Sequence, residues 1–356
     1  MSRISATRRP RADDPADGAS LPSADRPARR RISPWLALGL ATVLLALAAV
    51  ASLFLGTRET DLEAVWAVLR GEGSDYMREV VAAREPRTVL GAVVGAALAA
   101  SGMLIQGVTR NPLGEPGLLG VTSGASAAVV TATAFLGFSG GTAMVWVALP
   151  GALLAVAVVH LLGRPAGTHS VVPLILAGAV ISAVLYAYIQ AMILTRPAVF
   201  DSYRYWVVGS LAGASYDTLA AVAPTLVIGL ALAIVVVPGL NTLALGDDVA
   251  TALGTPVSLL RAGALLAATL LAAAATAAVG PIAFVGLAVP HLVRAMVGSE
   301  HRWQLPLCLV LGGALLLGSD VLARSLAHPE LMVGVVTAFA GAPFLLLAVR
   351  RGTVNA

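Results

Sequence analysis

The chain has 356 residues, of which 58% are hydrophobic and only 12% charged. Soluble domains are about a quarter charged, so this composition excludes an ordinary water-soluble fold and predicts an all-α polytopic membrane protein. The net charge of +4 is modest and comes mostly from the N-terminal tail, which argues against a nucleic-acid partner, and the one cysteine, Cys308, excludes an internal disulfide and any multi-cysteine metal site.

Residues 1–33 are rich in Arg, Pro, Asp and Ala without an apolar period, the composition of a disordered tail. All 23 basic residues are arginine, and eight of them lie in this tail, including Arg26, Arg29, Arg30 and Arg31 just before the first apolar run. That run, Trp35 to Leu55, is too long for the core of a cleaved leader, and GTRETD after it is a poor cleavage sequence. Arginines beside a first span place the N-terminus in the cytoplasm. Residues 56–83 then read as an external segment. In it Leu62, Val65, Trp66 and Leu69 recur at helical spacing, as expected of a short amphipathic helix on the outer surface or of a loop packed on its own protein.

Apolar windows follow near 88–108, 114–136, 143–162, 171–194, 216–237, 258–279, 282–297, 304–323 and 331–349, which with 35–55 makes ten spans. Ten crossings return the C-terminus, with Arg350 and Arg351, to the cytoplasmic side. Pro86 suits the first turn of the second span. Asn111-Pro112 and Glu115-Pro116 stop regular helix, so Arg84 to Gly124 reads as a span, a sharp kinked turn and the start of another span. Gly91, Gly95, Gly102, Gly178, Gly312 and Gly313 lie inside spans, where small residues let helices approach closely; they predict a compact bundle. NPLGEPGLLG and the later GPIAFVGLAVPH are loosely alike, a hint of duplicated halves.

Several polar groups invite a functional reading. Arg84 and Arg87 open the second span on the outer face, and Arg324 ends the ninth on the same face. Guanidinium suits carboxylates, although snorkelling anchors at helix ends are common. Asp320 and Arg324, four residues apart, read as a local pair near the outer edge. Leu245, Val249 and Leu253 share one helical face, Asp247 and Asp248 sit at the N-terminus of that short helix, and Gly254 and Pro256 end it. It is either a connector or a docking helix between the sixth and seventh spans. His291 and His301 lack Cys, Asp or Glu at ligand spacing, so the expectation there is structural, with no metal. Arginines and aromatics cluster in RPAVFDSYRYW, 196–206, as interfacial residues do.

Much is missing. With no lysine the chain cannot form a P-loop, and neither G-x-S-x-G nor H-E-x-x-H occurs. The deep spans read as lacking Asp and Glu, with Gln106 and Gln190 among their few polar groups, so no site for a coupling ion is evident and energy must come from outside the chain.

One resemblance organises these readings. The string REPR from Arg84 to Arg87, then Ser101-Gly102, Gln106 and RNPLGEPGLLG from Arg110 to Gly120, resembles the pattern R-x-P-R…SG…Q…RNPL-x-x-P-x-LLG of permeases of cobalamin and ferric-siderophore importers, the FecCD or BtuC-like family. LGDDVATALG, 245–254, is similar to the family's coupling segment LGE-x-x-A-x-x-LG, with Asp247 for the usual Glu. Residues 280–302 match G-x-I-x-F-x-GL-x-x-PH-x-x-R and G-x-x-HR. The stretch from Asp320 to Pro343 matches the final motif, with Met332 where the family usually has Pro. The likeness covers nearly everything after residue 56.

The resemblance implies a BtuC-like permease domain over 34–351, with 241–257 as its cytoplasmic coupling segment. Arg84, Arg87 and Arg324 would receive glutamates from the two lobes of an extracytoplasmic substrate-binding lipoprotein. Leu245, Gly246, Asp247, Asp248, Leu253 and Gly254 would dock in a cleft of a cytoplasmic ATP-binding-cassette ATPase dimer. Pathway or gate candidates are Gln106, Asn111, Pro112, His169, Ser170, Gln190, Tyr205 and Trp206. The loop 163–173 falls where the family places an inner gate, but Val171 and Val172 stand where some relatives carry small hydroxyl residues. Other partners would be membrane lipid and a second permease copy or a sister permease; no cofactor is implied. The ligand would be a ferric siderophore, ahead of cobalamin or haem. The competing expectation is an ion-coupled secondary transporter working alone; an intramembrane enzyme is disfavoured by the absent catalytic groups.

Overall fold

The structure, a computed structural model, describes residues 32–55, 62–72, 74–138, 140–163, 172–326 and 331–350. The arginine-rich stretch 1–31 and the candidates His169 and Ser170 lie outside these. The helices are α1 Pro34–Phe54, α2 Leu62–Leu69, α3 Asp75–Thr109, α4 Val121–Leu136, α5 Ala143–Leu162, α6 Val172–Thr195, α7 Pro197–Trp206, α8 Tyr216–Leu243, α9 Asp247–Ala252, α10 Val257–Val279, α11 Val285–Val297, α12 His301–Leu326 and α13 Val333–Arg350. No strand occurs among the described residues. Seven helices are long and apolar enough to cross a membrane, and α4, α11 and α13 are shorter apolar helices. Together they occupy the ten predicted windows.

Two windows are corrected in their interior. Residues 114–136 are not one helix: the chain leaves α3, makes a tight turn and a short 3-10 turn at Pro116–Leu119, and only then enters α4. In the same way Gly280 to Phe284 is irregular before α11. At a rise of about 1.5 Å per residue, α4 and α11 span only about 24 and 20 Å, short of a hydrocarbon core of about 30 Å. The irregular segment before each completes its length. These are the two stretches whose sequences are loosely alike, and they meet inside the bundle, lining one cavity of about 120 Å³ with Glu115, Pro281, Ile282 and Ala283 in its wall.

The second span is also corrected. α3 starts well before Pro86, because Ser74 caps it by accepting from Met77 N–H at 3.4 Å and Asp75 sits favourably in its first turn. Pro86 therefore lies inside the helix.

α3, α10 and α12 are mostly buried and form the centre; α1 and α6 are mostly exposed at the edge. α3 packs on α12, α10 and α11, with α1 on α12, α8 on α10 and α4 on α5. The small residues explain the tight centre. A Cβ at Gly95 would collide with the Gly312 carbonyl, and one at Gly102 with the Gly286 backbone. In lipid, where apolar contact between helices gains little over contact with tails, such backbone approach supplies the packing energy.

We expect Gly102→Ala to destabilise the bundle by about 1–3 kcal/mol through overpacking. Gly39→Ala, where nothing lies within 4 Å of the new methyl, stays within about 0.5 kcal/mol of the parent. Thermal unfolding of both variants in detergent checks this.

Candidate functional site

Two polar clusters meet α3, one around Arg84 and Arg87 and one at its C-terminal end, about 35 Å apart by helix rise. At the first, α1 ends against α3 and α12. The last turn of a helix leaves carbonyls without intrahelical donors, and its dipole makes them a negative end. Here two arginines cover them. Arg84 Nη1 donates to the carbonyls of Leu53 at 2.8 Å and Phe54 at 3.1 Å. Arg324 Nη1 donates to those of Ser52 at 3.2 Å and Leu55 at 3.0 Å, and its Nη2 to Ser52 Oγ at 3.0 Å. Ser52 Oγ then meets Thr88 Oγ1 at 2.8 Å, and Thr88 donates to the Arg84 carbonyl at 2.9 Å.

Asp320 anchors this cluster. It is wholly buried, with Arg324 2% and Arg84 7% exposed. The expected pair with Arg324 forms, Nη2 to Oδ2 at 3.1 Å. Sequence reading did not foresee its second partner: Arg87, 233 positions away, which grips the same carboxylate through Nε at 3.0 Å and Nη2 at 2.8 Å. Such a two-pronged guanidinium contact is strong and directional. Among the described residues, three guanidinium groups gather around this one carboxylate. Arg84 and Arg324 are thus caps as well as charges, and Arg87, its side chain 13% exposed, is the most accessible of the three. Glu85 is exposed and hydrogen-bonded by Tyr216, so it lies on another face of α3.

At the opposite end α9 lies between α8 and α10. Gly246, at φ 109° and ψ 157°, and Gly254, at φ 79°, adopt backbone conformations that side chains rarely tolerate, which is why glycines bracket so short a helix. The predicted apolar face is present and outward: Leu245 and Leu253 are 63% and 62% exposed, whereas Ala250 is fully buried. Asp247 faces the body. Its Oδ1 accepts from Arg110 Nη2 at 2.8 Å and Arg261 Nη2 at 2.9 Å, joining α9 to the end of α3 and the start of α10. Thr242 Oγ1 meets Thr255 Oγ1 at 2.9 Å and closes the loop behind it.

The pathway candidates separate. Gln106 is buried; its Nε2 donates to the carbonyls of Gly286 and Leu287 at 3.3 and 3.4 Å, and its Oε1 accepts from Arg294, so it ties α3 to α11. Asn111 forms a tight turn, its Oδ1 accepting from Leu113 N–H at 2.9 Å, with Pro112 inside that turn. Gln190 is half-buried on α6. Tyr205 is exposed on α7, with Arg204 4.8 Å over its ring, while Trp206 packs against the core and stacks on Tyr203. His301 is held at the start of α12 by Asn241, whose Oδ1 accepts its backbone N–H at 2.9 Å. Among the described residues no three His, Cys, Asp or Glu side chains are grouped as a metal site requires.

One acidic group was passed over in the sequence. Glu115 sits in the irregular turn after α3, lines the central cavity together with Leu98 from mid-α3, and accepts a hydrogen bond from Phe284 N–H. The reading that the deep part of the bundle lacks acidic side chains is corrected by Glu115.

Comparison with known proteins agrees with the helical fold. The model of the FecCD transport family matches residues 44–351. The chain is 42% identical to the ferric enterobactin transport system permease protein FepD of Escherichia coli over 87% of this chain and 94% of that one. It is 35% identical to the hemin transport system permease protein HmuU of Yersinia pestis over 90% and 97%. A solved metal-chelate type ABC transporter in an inward-facing conformation superposes with a TM-score of 0.78 at 30% identity, covering 89% of this chain and 99% of that chain.

Removing Asp320 leaves buried guanidinium groups facing one another. We expect Asp320→Ala to cost about 3–5 kcal/mol. Asp201→Ala, which removes only the exposed partner of Arg204, costs less than about 1 kcal/mol. Unfolding midpoints in detergent separate the two.

Proposed function

Because the chain belongs to the FecCD transport family, we propose that it is the membrane-spanning permease subunit of an ATP-binding-cassette importer for iron chelates, in which α9 faces the cytoplasm and both termini lie on that side. The observation that carries the reading is the outward apolar face of α9. Val249 on the six-residue α9 and Leu245 and Leu253 flanking it are exposed, which suits insertion into a cleft of a separate ATPase. An exposed apolar patch of this kind marks an interaction surface. Gly246, Asp248 and Gly254 belong to the same contact, and Asp247 orients it.

The arginine cluster in the first half of α3 then faces outward. Its guanidinium groups suit carboxylates on an external binding protein, with Arg87, the most accessible of the three, making the contact. Ligand would pass between two permease copies, or this chain and a sister permease, with Gln190, Tyr205 and Trp206 toward the pathway and Gln106, Asn111 and Pro112 fixing the walls. Relatives named for ferric enterobactin, ferric citrate and hydroxamate support a ferric siderophore as cargo. Relatives named for hemin and cobalamin make those the second choice.

The test is uptake in proteoliposomes holding the permease, its ATPase and its binding protein. Catecholate or hydroxamate siderophores loaded with radioiron are imported, and haemin or cyanocobalamin is imported at least about tenfold less well; the reverse preference refutes the cargo assignment. Arg87→Gln keeps a polar partner for Asp320 and weakens binding-protein affinity by about tenfold, the scale of one charged contact. An unchanged affinity refutes docking at this cluster. Arg84 is the poorer probe, since its loss also uncaps α1.

A further inference from the structure

We infer that Arg110 and Glu115 are positioning residues of a relay that carries movement of α9 to the junction of broken helices at the centre of the bundle. The inference rests on the reading of α9 as the ATPase contact and adds how that contact reaches the membrane interior.

α9 cannot hold its own place. A helix of six residues is far below the length that is stable alone, and glycines at both ends leave it free to swivel. What attaches it by charge is Asp247, through Arg110 and Arg261. Arg261 begins α10, a long central helix. Arg110 is different: it is the residue at which α3 stops, in a left-handed conformation at φ 49° that a side chain adopts only at a cost. From there the chain folds back on α3 as a short strut. Asn111 N–H donates to Thr109 Oγ1 at 3.3 Å, Leu113 N–H to Asn111 Oδ1 at 2.9 Å and Gly114 N–H to the Asn111 carbonyl at 3.0 Å. Gly114 lies so close to Thr109 and Ile105 that a Cβ would sit about 3 Å from both. Pro112 and Pro116 remove further backbone freedom.

Glu115 is the far end of this strut. It receives the N–H of Phe284, the residue that starts α11, itself left-handed at φ 69°. A carboxylate there also meets the positive end of the α11 dipole. Beside it lies the cavity of about 120 Å³ against 281–283. Close-packed interiors rarely leave such space, and here it gives the start of α11 room to shift. Displacing α9 therefore pulls on Arg110, Arg110 pulls on a braced five-residue strut, and the strut moves the first turn of α11, which Gln106 and Arg294 tie to α3 on its other side.

The experiment uses the complete importer in proteoliposomes and compares ligand imported with ATP hydrolysed. Arg110→Gln and Glu115→Ala are expected to retain the ATPase subunit through purification and to hydrolyse ATP within about twofold of the parent, while import per ATP falls about tenfold. Arg110→Lys and Glu115→Gln, which keep the charge or the acceptor, restore most of it. The double variant is no worse than either single one, because both cut one path. If Glu115→Ala does not fold, Glu115→Asp, which shortens the reach, replaces it with the same expectation. Unchanged import per ATP overturns the relay, and so does a multiplicative loss in the double variant. Loss of the ATPase subunit in Arg110→Gln overturns it too, since Arg110 would then be a docking contact. Leu253→Asp tests the underlying reading separately. It should strip the ATPase from the complex; retention with full transport removes α9 as the contact and the relay with it.

Discussion

A backbone polar group that leaves its helix away from water must find a partner inside the protein, and each one that fails costs several kcal/mol. Among the described residues, polar side chains gather where helices stop. The end of α1 is met by Arg84 and Arg324. The end of α3 folds back through Asn111. The start of α11 is met by Glu115, and the carbonyls of its first turn by Gln106. Residues that look like isolated charges in a greasy sequence are mostly the partners of broken backbone.

Close packing makes those positions rigid enough to be useful. The backbones of α3, α11 and α12 approach through Gly95, Gly102, Gly286 and Gly312 without intervening side chains. A centre built this way has few soft contacts, so displacement at one end of α3 is transmitted along it rather than absorbed. The same helix carries the arginine cluster in its first half and meets α9 at its C-terminal end. An importer that must connect an external binding protein with an internal ATPase needs such a member.

The spans were legible because hydrocarbon thickness sets a length that composition reveals directly, and in α5 and α8 that signal outweighs the internal Pro150, Pro224 and Pro238. The compact centre was legible from glycines at span interiors. The outward face of α9 was legible from Leu245, Val249 and Leu253 at helical spacing. What escaped reading depends on backbone rather than on letters. The caps on α1 are carbonyls, which no residue type marks, so Arg84 and Arg324 read as surface charges although both are buried. Arg87 and Asp320 are too distant in sequence for spacing to join them. α4 and α11 looked like full spans because Leu118 and Leu119 before one and Ile282, Ala283 and Phe284 before the other extend their apolar runs. Glu115 was taken as part of a turn because its proline neighbours dominate, and only the fold places it at depth. The early start of α3 had a signal, Ser74 followed by Asp75, which Pro86 outweighed.

All of this treats the bundle as a device without its own fuel, driven through α9. Uptake of radioiron-siderophore by the reconstituted permease measures that claim most directly, under ATP with its ATPase and binding protein, and separately under proton or sodium gradients with neither. The account predicts accumulation in the first condition and none above leak in the second. Gradient-driven accumulation by the permease alone would contradict it.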